Sequence, residues 1–183
     1  PKTMPSTCAG AYLDFRRARF PPKRAEALAV GPAAARIRDW TWSSAVFTSV
    51  TVCSAGMRVL ASLAPVLKRS AAPRIAVLSA RVGSIGDNGL GGWYSYRGSK
   101  AALNMMLRCA ALEMRRVNPA AKIMAYHPGT VDTPLSQPFQ ANVAPEKLFS
   151  PARAAGALDT VLSGLKADGE LSYLDWRGET IPW

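Results

Sequence analysis

Tyr96 and Lys100 stand four residues apart in Tyr94-Ser95-Tyr96-Arg97-Gly98-Ser99-Lys100. On a helix that spacing puts a phenol and an ammonium on one face, about 6 Å apart along the axis. Tyrosine, with its usual pKa of about 10, is a poor acid near neutrality. A neighbouring ammonium favours the phenolate by Coulomb attraction and makes the phenol usable as a general acid and base. Ser79 and Ser84 lie upstream of the pair, Ser79 as the last residue of a strand and Ser84 in the loop beyond it. His127 is the single histidine of the chain and reads as a strand-end residue satisfied by backbone groups. The cysteines Cys8, Cys53 and Cys109 form no C-x-x-C pair, so neither a metal site nor a disulfide framework is expected.

The elements that must hold these groups follow from periodicity. Between Ser54 and Arg69, apolar Ala55, Val59, Leu60, Leu63, Val66 and Leu67 recur at helical spacing, with Arg58 and Lys68 opposite. Ile75-Ala76-Val77-Leu78 is a short run expected to form a strand buried on both faces, ending near Ser79. Five glycines make residues 81–92 a loop. Residues from Tyr94 to about Val117 are rich in helix formers and apolar on much of the circumference, which predicts a long helix buried on more than one side. A second strand spans Lys122–Tyr126 and stops at His127-Pro128-Gly129. Ser150 caps a helix over 151–165, and Leu171–Leu174 forms a last strand. Strand, helix, strand, helix, strand is the pattern of a parallel α/β sheet.

In this context the chain resembles the short-chain dehydrogenase/reductase family. The resemblance rests on the strand and glycine loop with Ser79 and Ser84, on Tyr96-x-x-x-Lys100 opening a long helix, and on Pro128-Gly129-Thr130-Val131-Asp132-Thr133 after the next strand. The strings Ser79-Ala80-Arg81-Val82-Gly83-Ser84-Ile85 and Gly91-Gly92-Trp93-Tyr94-Ser95-Tyr96, and the ending Ile181-Pro182-Trp183, look like its C-factor-like branch. The likeness covers residues 51–183 and implies a Rossmann-like parallel sheet with flanking helices, incomplete at the N-terminus. It implies an NAD(P)-dependent oxidoreductase that reduces a small carbonyl or oxidises an alcohol. Tyr96 would exchange the proton, Lys100 would lower its pKa and hold the nicotinamide ribose, and Ser79 or Ser84 would polarise the substrate oxygen, Ser84 being preferred because Ser79 closes a strand and could point into the sheet. Pro128, Gly129, Val131 and Thr133 would line the nicotinamide of NAD or NADP, at the carboxyl ends of the strands where open sheets place ligands. A homodimer or homotetramer is implied through the helix that begins at Tyr96. The alternative is a catalytically silent relative that serves only in subunit pairing.

Three positions depart from the family pattern. The second serine at the strand end is Ala80, and the asparagine that joins the lysine to a water chain is Cys53, a weak donor and acceptor. Residues 1–50 offer no glycine-rich turn for a pyrophosphate, because Cys8-Ala9-Gly10-Ala11 and Val30-Gly31-Pro32-Ala33 carry one glycine each. That stretch shows no sustained period and is left unassigned, as a truncated or frame-shifted remnant with at least one βαβ unit missing. The formal net charge of +11 is spread along the chain rather than clustered, which argues against a nucleic-acid partner. No run of eighteen apolar residues is present, so no membrane span is expected and the sequence reads as cytoplasmic. Asp132 reads as a turn residue, and Trp93, Met105, Met106 and Met114 as packing or subunit contacts.

Overall fold

The computed structural model describes residues 42–137 and 140–183, with residues 42–54 as backbone alone. The readings made for residues 1–41, including Cys8, Gly10 and Gly31, lie outside the described residues, as does the side chain of Cys53. Helix α1 spans Trp42–Arg69, twelve residues more at its start than the periodicity from Ser54 indicated. Strand β1 (Arg74–Leu78) leads through a 3₁₀ turn at Arg81–Gly83 to helix α2 (Tyr94–Val117), with the bounds that its composition predicted. Strand β2 (Lys122–His127) is followed by the two-residue strands β3 (Thr130–Val131) and β4 (Leu148–Phe149). Helix α3 (Pro151–Gly164) and strand β5 (Leu171–Asp175) complete the chain. The Ser150 hydroxyl accepts from the Arg153 backbone N–H and caps α3, and Pro151 fills the first turn where its missing N–H costs nothing.

The main sheet has the parallel order β1-β2-β5, and β3 pairs with β4 in a second, small parallel sheet. Alternation along β2 divides the core in two. Ile123 and Ala125 face one way and join Leu171 and Tyr173 of β5 against α1 and α2, through Leu60, Leu67, Leu103 and Leu107. Met124 and Tyr126 face the other way and pack with Leu158, Val161 and Leu162 of α3. The result is a sheet between two helical layers, the three-layer arrangement of an α/β fold. Asn118 closes the lower end of the α1/α2 pair. Its Nδ2 donates to the carbonyls of Leu67 and Ser70 and satisfies acceptors that the end of α1 leaves open.

One expectation fails at β1. Its apolar run predicts burial on both faces, yet among the described residues β1 is an edge strand and Leu78 remains 56% exposed. Among the described residues only β2 has a neighbour on each side, and five of its six residues are buried. Composition reports what a strand is suited to, and burial depends on which elements lie beside it.

Candidate functional site

Tyr96 occupies the first turn of α2, where the helix leaves the glycine loop that follows β1. Its entry is unusual. Gly91, Gly92 and Trp93 have φ of 65°, 67° and 49°, so three successive residues are left-handed, and Trp93 is a non-glycine residue in that region. Arg97 holds this turn: Nε donates to the carbonyls of Gly91 (3.2 Å) and Gly92 (3.0 Å), and Nη1 to that of Val82 (3.3 Å). The sequence reading missed Arg97, although its place directly after Tyr96 and beside a cluster of glycine carbonyls was available as a signal.

Lys100 lies one turn on. Its Nζ donates to the Leu78 carbonyl at the end of β1 (3.0 Å) and stands 5.8 Å from the centroid of the Tyr96 ring. The two side chains are therefore neighbours, as the spacing required. The electrostatic outcome differs from expectation, since burial pushes the Tyr96 phenol above its ordinary pKa. Tyr96 keeps 43% of its surface exposed, and partial desolvation, which opposes the charged form, is the cause of the shift. Gly83 keeps the loop against this helix, because a Cβ there would come within 2.7 Å of Lys100 Cβ and 2.9 Å of its backbone carbon.

Both candidate serines are engaged elsewhere. Ser79 is buried and its hydroxyl donates to Asn104 Oδ1 (2.6 Å). Ser84, the preferred candidate, is equally buried, donates to the Pro182 carbonyl (2.5 Å) and accepts from the Asp87 backbone N–H (2.9 Å). Each hydroxyl proton already has an internal acceptor, so giving it to a substrate means breaking an existing bond. Ala80, where the family pattern has a serine, is itself buried, and its carbonyl accepts from the Tyr173 hydroxyl (2.6 Å). The carboxyl-terminal residues thus brace the β1 loop, which the sequence did not reveal: the Gly86 N–H also bonds the Trp183 carbonyl.

The loop after β2 forms the other wall. Gly129 has φ of 80°, and a Cβ on it would lie 2.8 Å from Phe149 and 3.3 Å from Trp176. Phe149 and Trp176 meet edge to face at 4.7 Å, and the Arg153 guanidinium covers the Phe149 ring at 3.9 Å. Val131 pairs with Phe149 in the β3–β4 register, so the chain after Pro128 is fixed at both ends of the intervening loop. The Thr133 N–H and the Val131 carbonyl both bond the Ser136 hydroxyl, which keeps that turn closed. Asp132 receives Gln140 Nε2, in keeping with a turn role.

His127 pairs in register with Asp175, and Arg81 joins Asp175 (3.2 Å) to Asp87 (3.3 Å) at the same ends of the strands. The imidazole Nδ1 is buried without a hydrogen-bond partner. Burial and the nearby Arg81 cation together lower its pKa to about 4, against a smaller opposing pull from Asp175. Because the unfolded histidine titrates near 6.5, this neutral imidazole contributes stability that is complete above about pH 6.5 and is lost as pH falls toward 4, roughly 3 kcal/mol in all. With one histidine in the chain, an imidazole proton titration by NMR reads the value without ambiguity. A midpoint near 6.5 would contradict the burial. Among the described residues, no three potential metal-ligating side chains come together and no helix is long and apolar enough to cross a membrane.

Known proteins share this fold. The profile of the family described as short chain dehydrogenase matches residues 33–144. The chain is 32% identical over 127 residues to C-signal of Myxococcus xanthus, covering 69% of this chain and 71% of that protein. It is 29% identical over 127 residues to 1-hydroxy-2-glutathionyl-2-methyl-3-butene dehydrogenase of Rhodococcus sp. (strain AD45), covering 69% of this chain and 53% of that one. The NADPH-bound carbonyl reductase from chicken fatty liver superposes with a TM-score of 0.67 at 28% identity, over 80% of this chain and 60% of the other. The chain therefore spans between about half and seven tenths of these relatives' lengths. A profile match over more than half of the chain, on a parallel sheet that sets Tyr96 beside Lys100 at its carboxyl edge, places this protein in the short-chain dehydrogenase family.

Proposed function

We propose that the site reduces a small-molecule carbonyl, with Tyr96 as the proton donor and Lys100 as its partner. The observation that carries this reading is the adjacency of the two side chains at the carboxyl edge of the sheet, with Lys100 anchored to the end of β1. A phenol whose pKa lies above the ordinary value is protonated near neutrality. In that form it can deliver a proton to a developing alkoxide, and the raised pKa makes it a weaker acid than an unshifted phenol.

The residues present suit the nicotinamide end of NAD or NADP. Gly129 brings backbone close to Phe149 where a side chain could not fit, and Lys100 stands beside Tyr96. Lys100 would hold the ribose, and Pro128, Gly129, Val131 and Thr133 would line the ring. When bound, that group supplies the hydride. Residues 1–50 offer no glycine-rich turn for its pyrophosphate. Of the two cofactors, NADPH is the one bound by the chicken carbonyl reductase.

A second reading, a silent subunit-pairing relative, is favoured by Ala80 and by the engagement of both Ser79 and Ser84. The exposed apolar side chains of the paired helices, Val59 and Val66 on α1 with Met105 and Val117 on α2, suit a homodimer or homotetramer under either reading. Titrating the full chain with NADH and with NADPH, while following tryptophan emission and then turnover of an aldehyde, separates the two readings. Saturable binding with turnover supports the reductase. No saturable binding of either nucleotide removes it and leaves the pairing role.

A further inference from the structure

We propose that Asn104 is a positioning residue of this site: through its bond to Ser79 it sets where Lys100, and with it Tyr96, stands against the end of β1. The inference rests on the reductase reading for the reaction that this placement serves.

Helical spacing brings three residues into line. Tyr96, Lys100 and Asn104 follow one another at intervals of four on α2, so they share one face of the helix, one turn apart. The last two hold consecutive residues at the end of β1. Lys100 Nζ donates to the Leu78 carbonyl (3.0 Å), and Asn104 Oδ1 accepts from the Ser79 hydroxyl (2.6 Å). Ser79 is itself fixed, since its backbone N–H donates to the Tyr126 carbonyl of β2 (2.8 Å). The next carbonyl, that of Ala80, accepts from the Tyr173 hydroxyl of β5 (2.6 Å). Asn104 thus ties the helix that carries the reacting pair to a point held by all three strands of the main sheet.

The two ties differ in stiffness. The bond from Lys100 is exposed and made by a long, flexible side chain, which can reach its carbonyl from more than one helix position. Asn104 and Ser79 are each 4% exposed, and both side chains are short. A slide or rotation of α2 breaks their bond and leaves two polar groups unsatisfied away from water. The short amide therefore fixes the helix, and the ammonium follows.

Packing alone gives no reason for an amide at this position. Asn104 Nδ2 is buried and makes no well-formed hydrogen bond, although it acts on the Tyr173 phenol. An unpaired buried donor is destabilising, and leucine, with the same branched shape, would avoid it. What leucine cannot do is bind Ser79.

The test uses the full chain and the variants Ser79→Ala, Ser79→Thr, Asn104→Leu and the double variant Ser79→Ala with Asn104→Leu. Three quantities are read: Tm, the kcat of NADPH-dependent butanal reduction, and the NMR signal of the Lys100 ammonium in protein with isotopically labelled lysine, assigned through Lys100→Arg. Ser79→Ala and Asn104→Leu each strand a buried partner and should lower Tm by a few degrees, whereas the double variant removes both partners and should recover most of the loss. By contrast, kcat should fall about tenfold in both single variants and stay low in the double one, because a displaced helix misaligns Tyr96 whether or not the core is satisfied. The Lys100 signal should move in all three. Ser79→Thr, which keeps the hydroxyl, should leave that signal in place and kcat within about twofold of the parent's. A kcat that recovers together with Tm in the double variant reduces the bond to a stabilising one and overturns the inference, as does a Lys100 signal that no variant moves. Full activity in Asn104→Leu with none in Ser79→Ala assigns the Ser79 hydroxyl to the substrate and overturns it equally. A Lys100 signal that moves as expected in a protein whose parent form transfers no hydride sustains the placement and overturns only the reductase reading.

Discussion

Tyr96→Phe is expected to lower carbonyl reduction by about 10²- to 10⁴-fold, the range spanned by loss of a positioned general acid. Phenylalanine keeps the ring that lies 5.8 Å from the Lys100 ammonium and removes only the oxygen. Fold stability and nucleotide affinity should therefore change little, and the loss should appear in kcat rather than in KM. Steady-state kinetics, with nucleotide binding followed by tryptophan emission, separate these quantities. A variant that retains more than about a tenth of the parent kcat would place the proton donor elsewhere. Because burial raises the phenol's pKa, reduction by the parent should also be steady across neutral pH. It should fall only above the ordinary tyrosine range, as the proton to be given is lost.

The second large effect is structural. Gly129→Ala places a methyl group where two costs coincide: φ of 80°, which an L side chain rarely adopts, and a contact of 2.8 Å with the Phe149 ring. The left-handed backbone costs about 1–2 kcal/mol and the overpacking about 1–3 kcal/mol. Phe149 has little room to retreat, since Arg153 lies over one face and Trp176 meets it edge to face. A drop of roughly 5–15 °C in Tm is expected for a domain of this size, together with weaker nucleotide binding. Gly89→Ala is the matched control. It lies in a loop, is absent from the positive-φ glycines, and would meet nothing within 4 Å. Its Tm should stay within about 2 °C of the parent's. Equal Tm values for the two variants would remove the packing argument at Gly129.

These expectations draw on different sources of information. The fold was largely legible along the chain because its signals are local. Gly and Pro at 128–129 end a strand wherever it sits, the helix formers of 94–117 are suited to a helix, and Ser150-Pro151 opens a helix by its own hydrogen bond and fixed φ. The four-residue spacing of Tyr96 and Lys100 likewise required only helical geometry to make them neighbours. The start of α1 was harder to see. Residues 42–53 carry no repeating apolar face, yet the helix extends through them.

What the sequence determined by itself was the order of elements, the parallel α/β class and the pairing of Tyr96 with Lys100, all consequences of short-range periodicity and turn chemistry. Only the tertiary structure decided what surrounds them. Contacts across 98 residues tie Ser84 to Pro182, contacts across 25 tie Ser79 to Asn104, and together they occupy the hydroxyls that spacing had offered to a substrate. Desolvation at Tyr96, which stays 43% exposed, and at His127 depends on what the fold brings beside each ring, so the sign of neither pKa shift is written in the residue's neighbours along the chain. The edge position of β1 among the described residues has the same origin: an apolar run states that a strand can be buried, and only the assembled sheet determines on which sides it is.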